Sequence, residues 1–592
     1  MKGATPTDDS GLTRRRADFD TIVDALEYAA KGCRGLNFYS SRGELDVSLT
    51  YVEIRERAED IGRRLVGMGF EKGSRLALIA ETTPDFICHF LGAQYASVLP
   101  VPLPLPTSFG GRDGYVEQLK RQLQSCQASA IISPASMAEI LGEAIVDLNL
   151  RFAGTADEFL ATAQDIGDVR LPSSDDLTYL QYSSGSTRFP HGISIAHDAL
   201  MANAHGMGHD GVQIREGDRC VSWLPFYHDM GLVGTFLTTM ACQVSADYLA
   251  TEDFARRPLM WLSLMSRNKG TVTYGPTFGY DICARRVGPD ALAALDLSGW
   301  RVAGIGGDMI RPEVMKNFAD IFSPVGFKPE VFVPSYGLAE CTLAVSFMPL
   351  GKGILTDQVD ERVLSGEIST EGAVAYDPNS DINGHQGLHG LNGYAQLRDV
   401  VNCGKLLPGF EIEIRSPEGD VLDEPQMGRV YLKGISIMRE YFNDPEATKQ
   451  VLSTDGWLDS GDMGYMRDDH IFIVGRAKDM IIVNGCNHWP QDIEWAAEQL
   501  DGVRSGDVAA VSIPGGDAEE VPLVLVQCRL RDHEKRNELS ETVRAEVMRA
   551  TGIQCQVELV PPRALPRTSS GKLSRAKARA QFLSGEFQIT SD

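Results

Sequence analysis

At 592 residues the chain exceeds what one hydrophobic core supports, so at least two domains are expected. Apolar residues make up 43% and charged ones 23%, an ordinary globular balance, but the net charge of −25 argues against a general nucleic-acid binder. One local basic patch for a nucleotide or an acidic carrier remains compatible with that charge. Eleven cysteines scattered without a C-x-x-C pair fit reduced cytosolic thiols better than a disulfide framework or a zinc site. Arg14, Arg15 and Arg16 lead into Ala-Asp-Phe-Asp rather than an apolar run, and residues 589–592 form no lipidation box. A cytoplasmic protein without stable membrane insertion is expected.

Residues 50–53 read T-Y-V-E, a capping box of Thr50 and Glu53, so a helix is expected over about 51–69. LALIA at 76–80 reads as a buried strand and 86–96 as a helix. Pro100, Pro102, Pro104 and Pro106 forbid a helix or a central strand and leave an extended connection. Strands alternating with helices predict a layered α/β architecture with a parallel sheet. Residues 178–197, TYLQYSSGSTRFPHGISIAH, read as strand, tight small-residue loop and strand. Gly185 and Gly192 permit unusual backbone angles, while Ser183, Ser184, Ser186 and Thr187 supply hydroxyls. Such a loop can surround phosphate oxygens or stand as a plain surface turn, and it lacks the Walker A spacing.

His205, His209 and Asp210 have a metal-like spacing, but Gly206 and Gly208 weaken the helix and no further ligand clusters there. WLPFYHDMGLVG at 223–234 sets His228 beside Asp229, either as a core pair or as part of a site. Gly306, Gly307 and Asp308 lie in GIGGDM, and Ser335, Tyr336, Gly337 and Glu340 lie in VPSYGLAECTLA, a strand-to-helix junction. The chain turns polar and irregular over about 351–379. Residues 456–494 hold Asp462, an Asp468-Asp469 turn, Arg476 and Lys478. Strands at 508–513 and 524–527 and a helix at 537–549 build a small α/β unit. PRTSSGKLSR at 566–575 then presents Lys572 on a Gly/Ser-rich loop, where a lone lysine is usually a solvated charge.

From about residue 50 to 575 these motifs, in this order, resemble those of the adenylate-forming superfamily. YLQYSSGST and VDERVLSGEI resemble its fatty acyl-AMP ligase branch. The resemblance implies an α/β fold with a large multi-subdomain N-terminal adenylation domain of layered sheets and helices, residues 1–477. A small mobile C-terminal α/β domain, residues 478–592, would carry the catalytic lysine. An insertion typical of the ligase branch would span about 351–379.

The same resemblance implies that Ser183, Ser184, Gly185, Ser186, Thr187 and His191 wrap the outer phosphates of ATP. Gly306, Gly307, Asp308, Ser335, Tyr336 and Gly337 would line the nucleotide, with Tyr336 against adenine. Asp462 and Arg476 would hold the ribose, Glu340 would hold Mg²⁺, and His228 would lie near the substrate carboxylate. Lys478 would be the hinge, and Lys572 would bridge carboxylate and α-phosphate. Arg188, His191, Thr277, Gly279, Asp308 and Met309 depart from the family pattern. The implied reaction joins a fatty acid to AMP and passes the acyl group to a separate acyl carrier protein or a synthase carrier domain. An acyl-CoA synthetase and a catalytically impaired binding protein are the alternatives.

Overall fold

The computed structural model describes residues 3–6, 11–106, 111–182, 190–364, 397–483, 486–515, 520–568 and 572–587. Its centre is a nine-stranded sheet in which Gly35–Tyr39, Ser245–Leu249, Arg219–Ser222, Val272–Gly275, Val302–Ile305 and Phe332–Gly337 run parallel. Antiparallel strands close both edges: Leu45–Thr50 at one, Ala344–Phe347 and Lys405–Leu406 at the other. The central strands are buried along their length, as helices on both faces of a parallel sheet require.

The helix predicted after Thr50 runs over Tyr51–Gly67, and both arms of its capping box form. Arg75–Ile79 and the helix Pro84–Tyr95 match the next two expectations within two residues. Leu99–Leu103 is where the prolines acted differently from expectation. It is a strand, paired parallel with Arg75–Ile79 at the end of a four-stranded sheet. An edge strand tolerates proline because only one of its sides feeds that ladder.

The hairpin expected around the small-residue loop forms from Leu177–Tyr182 and Gly192–Ala196; the loop itself, 183–189, lies outside the described residues. A four-stranded antiparallel sheet follows, from Phe410–Arg415 to His470–Arg476, and Asp468 and Asp469 take positive φ in its tight turn. His205 gives its Nδ1 to contact with the Arg16 carbonyl and stacks on His209.

The polar stretch after residue 351 is more structured than its composition suggested. Thr356–Asp360 pairs antiparallel with Leu397–Val401, and Val363 and Leu364 are buried with Val359, Val400 and Phe472. Asp357 accepts from the Tyr465 hydroxyl at 2.7 Å and pairs with Arg467, which ties this ribbon to the four-stranded sheet. Residues 365–379 of the expected insertion lie outside the described residues.

Beyond the 3₁₀ turn Ala477–Asp479, the strands Val508–Pro514, Glu520–Gln527 and Gln556–Val560 form a three-stranded sheet. Helices Pro490–Glu498, His533–Thr551 and Arg575–Leu583 pack on it around cores of their own. Two ion pairs reach back from the larger part: Arg311 to Glu498 at 2.6 Å, with Arg311 over the Trp495 ring, and Arg398 to Asp492 at 3.0 Å. Arg398 lies on the strand of the 356–401 ribbon, so that ribbon touches both sides.

Burial pushes the Asp492 carboxyl up to about 6, against the opposing pull of Arg398. A carboxyl whose folded value is raised contributes stability that is present at acid pH and lost as pH rises through that value. The unfolding free energy of the native chain minus that of Asp492→Asn is therefore expected to fall between about pH 4 and 6.5 and then level off. Urea unfolding followed by Trp fluorescence checks this, and a difference that does not vary with pH would remove Asp492 from the titrating groups.

Candidate active site

A cavity of about 400 Å³ opens where the parallel strands end, between the hairpin, the four-stranded sheet and the loop that carries Lys572. That is the ordinary place for a ligand in an α/β sheet. His191, His228, Gly306, Gly307, Ser335, Tyr336, Gly337, Glu340, Arg476, Lys478 and Lys572 all line it. Asp462 stands directly behind this lining, bonded to Tyr336 and Arg476, whereas Asp308 is not part of the lining: next to Gly307, it is exposed and accepts from the Met309 N–H. Ser183, Ser184, Gly185, Ser186 and Thr187 lie outside the described residues.

Lys572 reaches Gly307 so closely that a Cβ on that glycine would sit 3.9 Å from the lysine Nζ. Gly307 also has φ +79°, a left-handed conformation that a side chain would strain. Burial lowers the Lys572 ammonium below its ordinary range; Asp308 and Asp229 oppose that shift, and Arg476 adds to it. The lysine is thus a half-buried cation whose charge two nearby carboxylates favour, rather than a solvated surface charge.

His228 and Asp229 pair at 2.6 Å, and the Asp229 carboxylate also accepts from the Met230 N–H. Burial works to raise the Asp229 carboxyl, but His228 and Lys572 outweigh it and hold it below the usual carboxylate range. On the opposite wall the Tyr336 hydroxyl donates to Asp462 at 2.7 Å, and Asp462 pairs with Arg476 at 3.2 Å. Arg476 ends the strand His470–Arg476, directly opposite Asp462 in the ladder, so the pair is set by β register.

At the remaining end Glu340 accepts from the Tyr441 hydroxyl at 2.9 Å. His191 stacks on the Tyr441 ring at 4.7 Å and meets Asp444 at 3.2 Å. Sequence reasoning missed Tyr441 and Asp444, since nothing in the local pattern marks them. It also missed Arg575, which grips Glu494 through two bonds of 2.7 and 2.6 Å and reaches Asp479 at 3.2 Å. One guanidinium therefore joins the helix Arg575–Leu583, the helix Pro490–Glu498 and the turn that holds Lys478. Its place three residues after Lys572, within SGKLSR, was the available signal.

Among the described residues no three His, Cys, Asp or Glu side chains converge as a metal cage. Glu340 offers one carboxylate, which suits Mg²⁺ if phosphate oxygens and water complete its shell.

The chain matches the family model described as AMP-binding enzyme over residues 27–442. A Caulobacter vibrioides relative named "Putative acyl-CoA synthetase" is 45% identical over 98% of both chains. The medium-chain-fatty-acid–[acyl-carrier-protein] ligase JamA of Moorena producens is 31% identical over 96% of both. A solved structure from a study of fatty acyl-adenylate ligases from E. coli and L. pneumophila superposes with TM-score 0.88 at 42% identity, covering 97% of this chain and all of that one. This chain belongs to the AMP-binding, adenylate-forming enzyme family, with fatty-acid AMP ligases among its relatives.

Proposed function

We propose that this enzyme joins a fatty acid to the α-phosphate of ATP, releases pyrophosphate, and passes the acyl group to the phosphopantetheine thiol of a separate acyl carrier protein. The observation that carries the proposal is Lys572, half-buried in the lining of the cavity shared by Gly307, Tyr336 and Arg476. A fatty carboxylate and the α-phosphate brought together there build up negative charge between them. A preorganised ammonium stabilises that charge without having to reorient. Alignment supplies the rest, because the reaction asks for little covalent work from the protein.

Asp462 and Arg476 fit the two ribose hydroxyls, a carboxylate accepting and a guanidinium donating in a fixed fork. Tyr336 would rest against adenine, with its hydroxyl anchored on Asp462. Ser183 to Thr187 and His191 would enclose the outer phosphates. Glu340 would hold Mg²⁺, which neutralises phosphate charge when bound; Tyr441 fixes that carboxylate from behind. His228, oriented by Asp229, would flank the substrate carboxylate. A cytoplasmic site of action is part of this reading, supported by eleven free thiols and by the absence, among the described residues, of a helix able to cross a membrane.

Residues 1–477 and 478–592 would act as two domains moving about Lys478. The two half-reactions need different groups at one place, so Lys572 must withdraw before a thiol enters. The name carried by the Caulobacter relative makes CoA the competing acceptor. Incubation with ATP, a chain-length ladder of fatty acids and either CoA or a phosphopantetheinylated carrier tests the proposal. Acyl-AMP and acyl-carrier are the expected products; efficient acyl-CoA formation would favour the synthetase reading, and no pyrophosphate release would end both.

Lys572→Ala is expected to slow acyl-AMP formation about 10²–10³-fold, the usual loss for one preorganised electrostatic contact. ATP affinity, measured by calorimetry, should change little. Near-normal adenylation by this variant would remove Lys572 from the chemistry.

Lys478→Pro fixes φ in the 3₁₀ turn and is expected to spare acyl-AMP synthesis while abolishing transfer to the carrier. Lys478→Ala, which loses the amine but keeps the rotation, should retain both steps. Equal damage to both half-reactions by the proline variant would count against a hinge there.

A further inference from the structure

The helix Pro490–Glu498 carries two carboxylates one turn apart, Glu494 and Glu498, which hold arginines from different parts of the chain. Glu494 takes Arg575, just after Lys572 in sequence. Glu498 Oε2 takes Arg311 Nη1 at 2.6 Å. Arg311 belongs to the larger part, at the end of the loop whose Gly306 and Gly307 line the cavity. The other oxygen of Glu498 accepts from the Gly506 N–H at 2.6 Å, and the Gly506 carbonyl accepts from Arg567, just before Lys572. Between the two arginines, the Thr568 N–H donates to the Lys572 carbonyl at 2.8 Å and the Lys572 N–H donates to Thr568 Oγ1 at 3.2 Å. The lysine loop is thus bonded on both its sides, and both bonds lead to the one helix that Arg311 holds.

The contact between Arg311 and Glu498 is deep, with their side chains 12% and 5% exposed. Arg311 also donates to Ser505 Oγ at 3.1 Å and Glu313 at 2.9 Å, and lies over the Trp495 ring. Removing one partner of so buried a pair leaves a charge that neither water nor another group compensates. Each part of the chain has apolar cores of its own, so neither needs this pair in order to fold.

We propose that Arg311 is a positioning residue for adenylation: by holding Glu498 it fixes where Lys572 stands against Gly307, although Arg311 is not part of the cavity lining. The inference rests on the role given to Lys572 above and adds the residue that seats it.

The test measures the two half-reactions separately in the full chain. Arg311→Ala is expected to lower kcat for pyrophosphate release with ATP and fatty acid about 10²-fold, the loss that a small misplacement of a reacting group can cause. ATP affinity, read by calorimetry, should change little. Transfer of supplied acyl-AMP to a phosphopantetheinylated carrier should be kept, since Lys572 has to vacate the site for that step. Arg311→Lys should recover part of the rate. Glu498→Gln, close in shape, should show the same split and serves if Arg311→Ala fails to fold. In a Lys572→Ala background, Arg311→Ala should add little further loss, because both changes remove the same contact. Equal damage to both half-reactions, or losses that multiply in full in the double variant, would overturn the assignment. Near-normal kcat in both Arg311→Ala and Glu498→Gln would do the same. Normal adenylation by Lys572→Ala alone would instead overturn the reading of Lys572 beneath it.

Discussion

A lysine ammonium partly withdrawn from water has to be held there, and the arrangement of this chain turns on how Lys572 is held. Desolvation works against its charge, while Asp308 and Asp229 work for it. The two carboxylates come from the larger part of the chain and the lysine comes from the smaller. The charge balance of Lys572 is therefore complete only when the two parts are seated together. Arg575 adds the mechanical half of the same arrangement, gripping Glu494 and Asp479 and so tying the lysine loop to the Lys478 turn. Arg311–Glu498 and Arg398–Asp492 then fix that piece against the rest of the chain. These pairs are largely buried, so opening the seat requires that each charge be rehydrated or find a new partner.

Much of the fold was legible because its signals are local. The capping box of Thr50 and Glu53, the alternation around the hairpin and the Asp468-Asp469 turn each depend on residues within a few positions of one another. Leu99–Leu103 was misread because proline rules exclude central strands but say nothing of where the sheet ends. The 356–401 ribbon was misread for a related reason. Its apolar residues are few, but Val359, Val363 and Leu364 are buried by strands more than fifty positions away. No window of sequence contains that information.

The site divides along the same line. Asp462 and Arg476 were readable as a motif, and β pairing sets them face to face. Tyr441 and Asp444 were not, since their roles exist only through contact with Glu340 and His191 from distant positions. His191 stands where the family pattern has lysine, and its stacking on Tyr441 gives that departure a physical setting: an aromatic ring can use the Tyr441 face in a way an alkyl ammonium does less well.

The central claim is that Lys572 sits in the cavity in the adenylating arrangement and leaves it for acyl transfer. Labelling of lysines by an amine-acylating reagent, read residue by residue by peptide mass spectrometry, measures this directly in the full chain. With ATP and fatty acid present, Lys572 should be strongly protected relative to Lys316, whose side chain is 77% exposed. Labelling should rise once a phosphopantetheinylated carrier is added. Lys572 reacting as fast as Lys316 while acyl-adenylate is being formed would contradict the account.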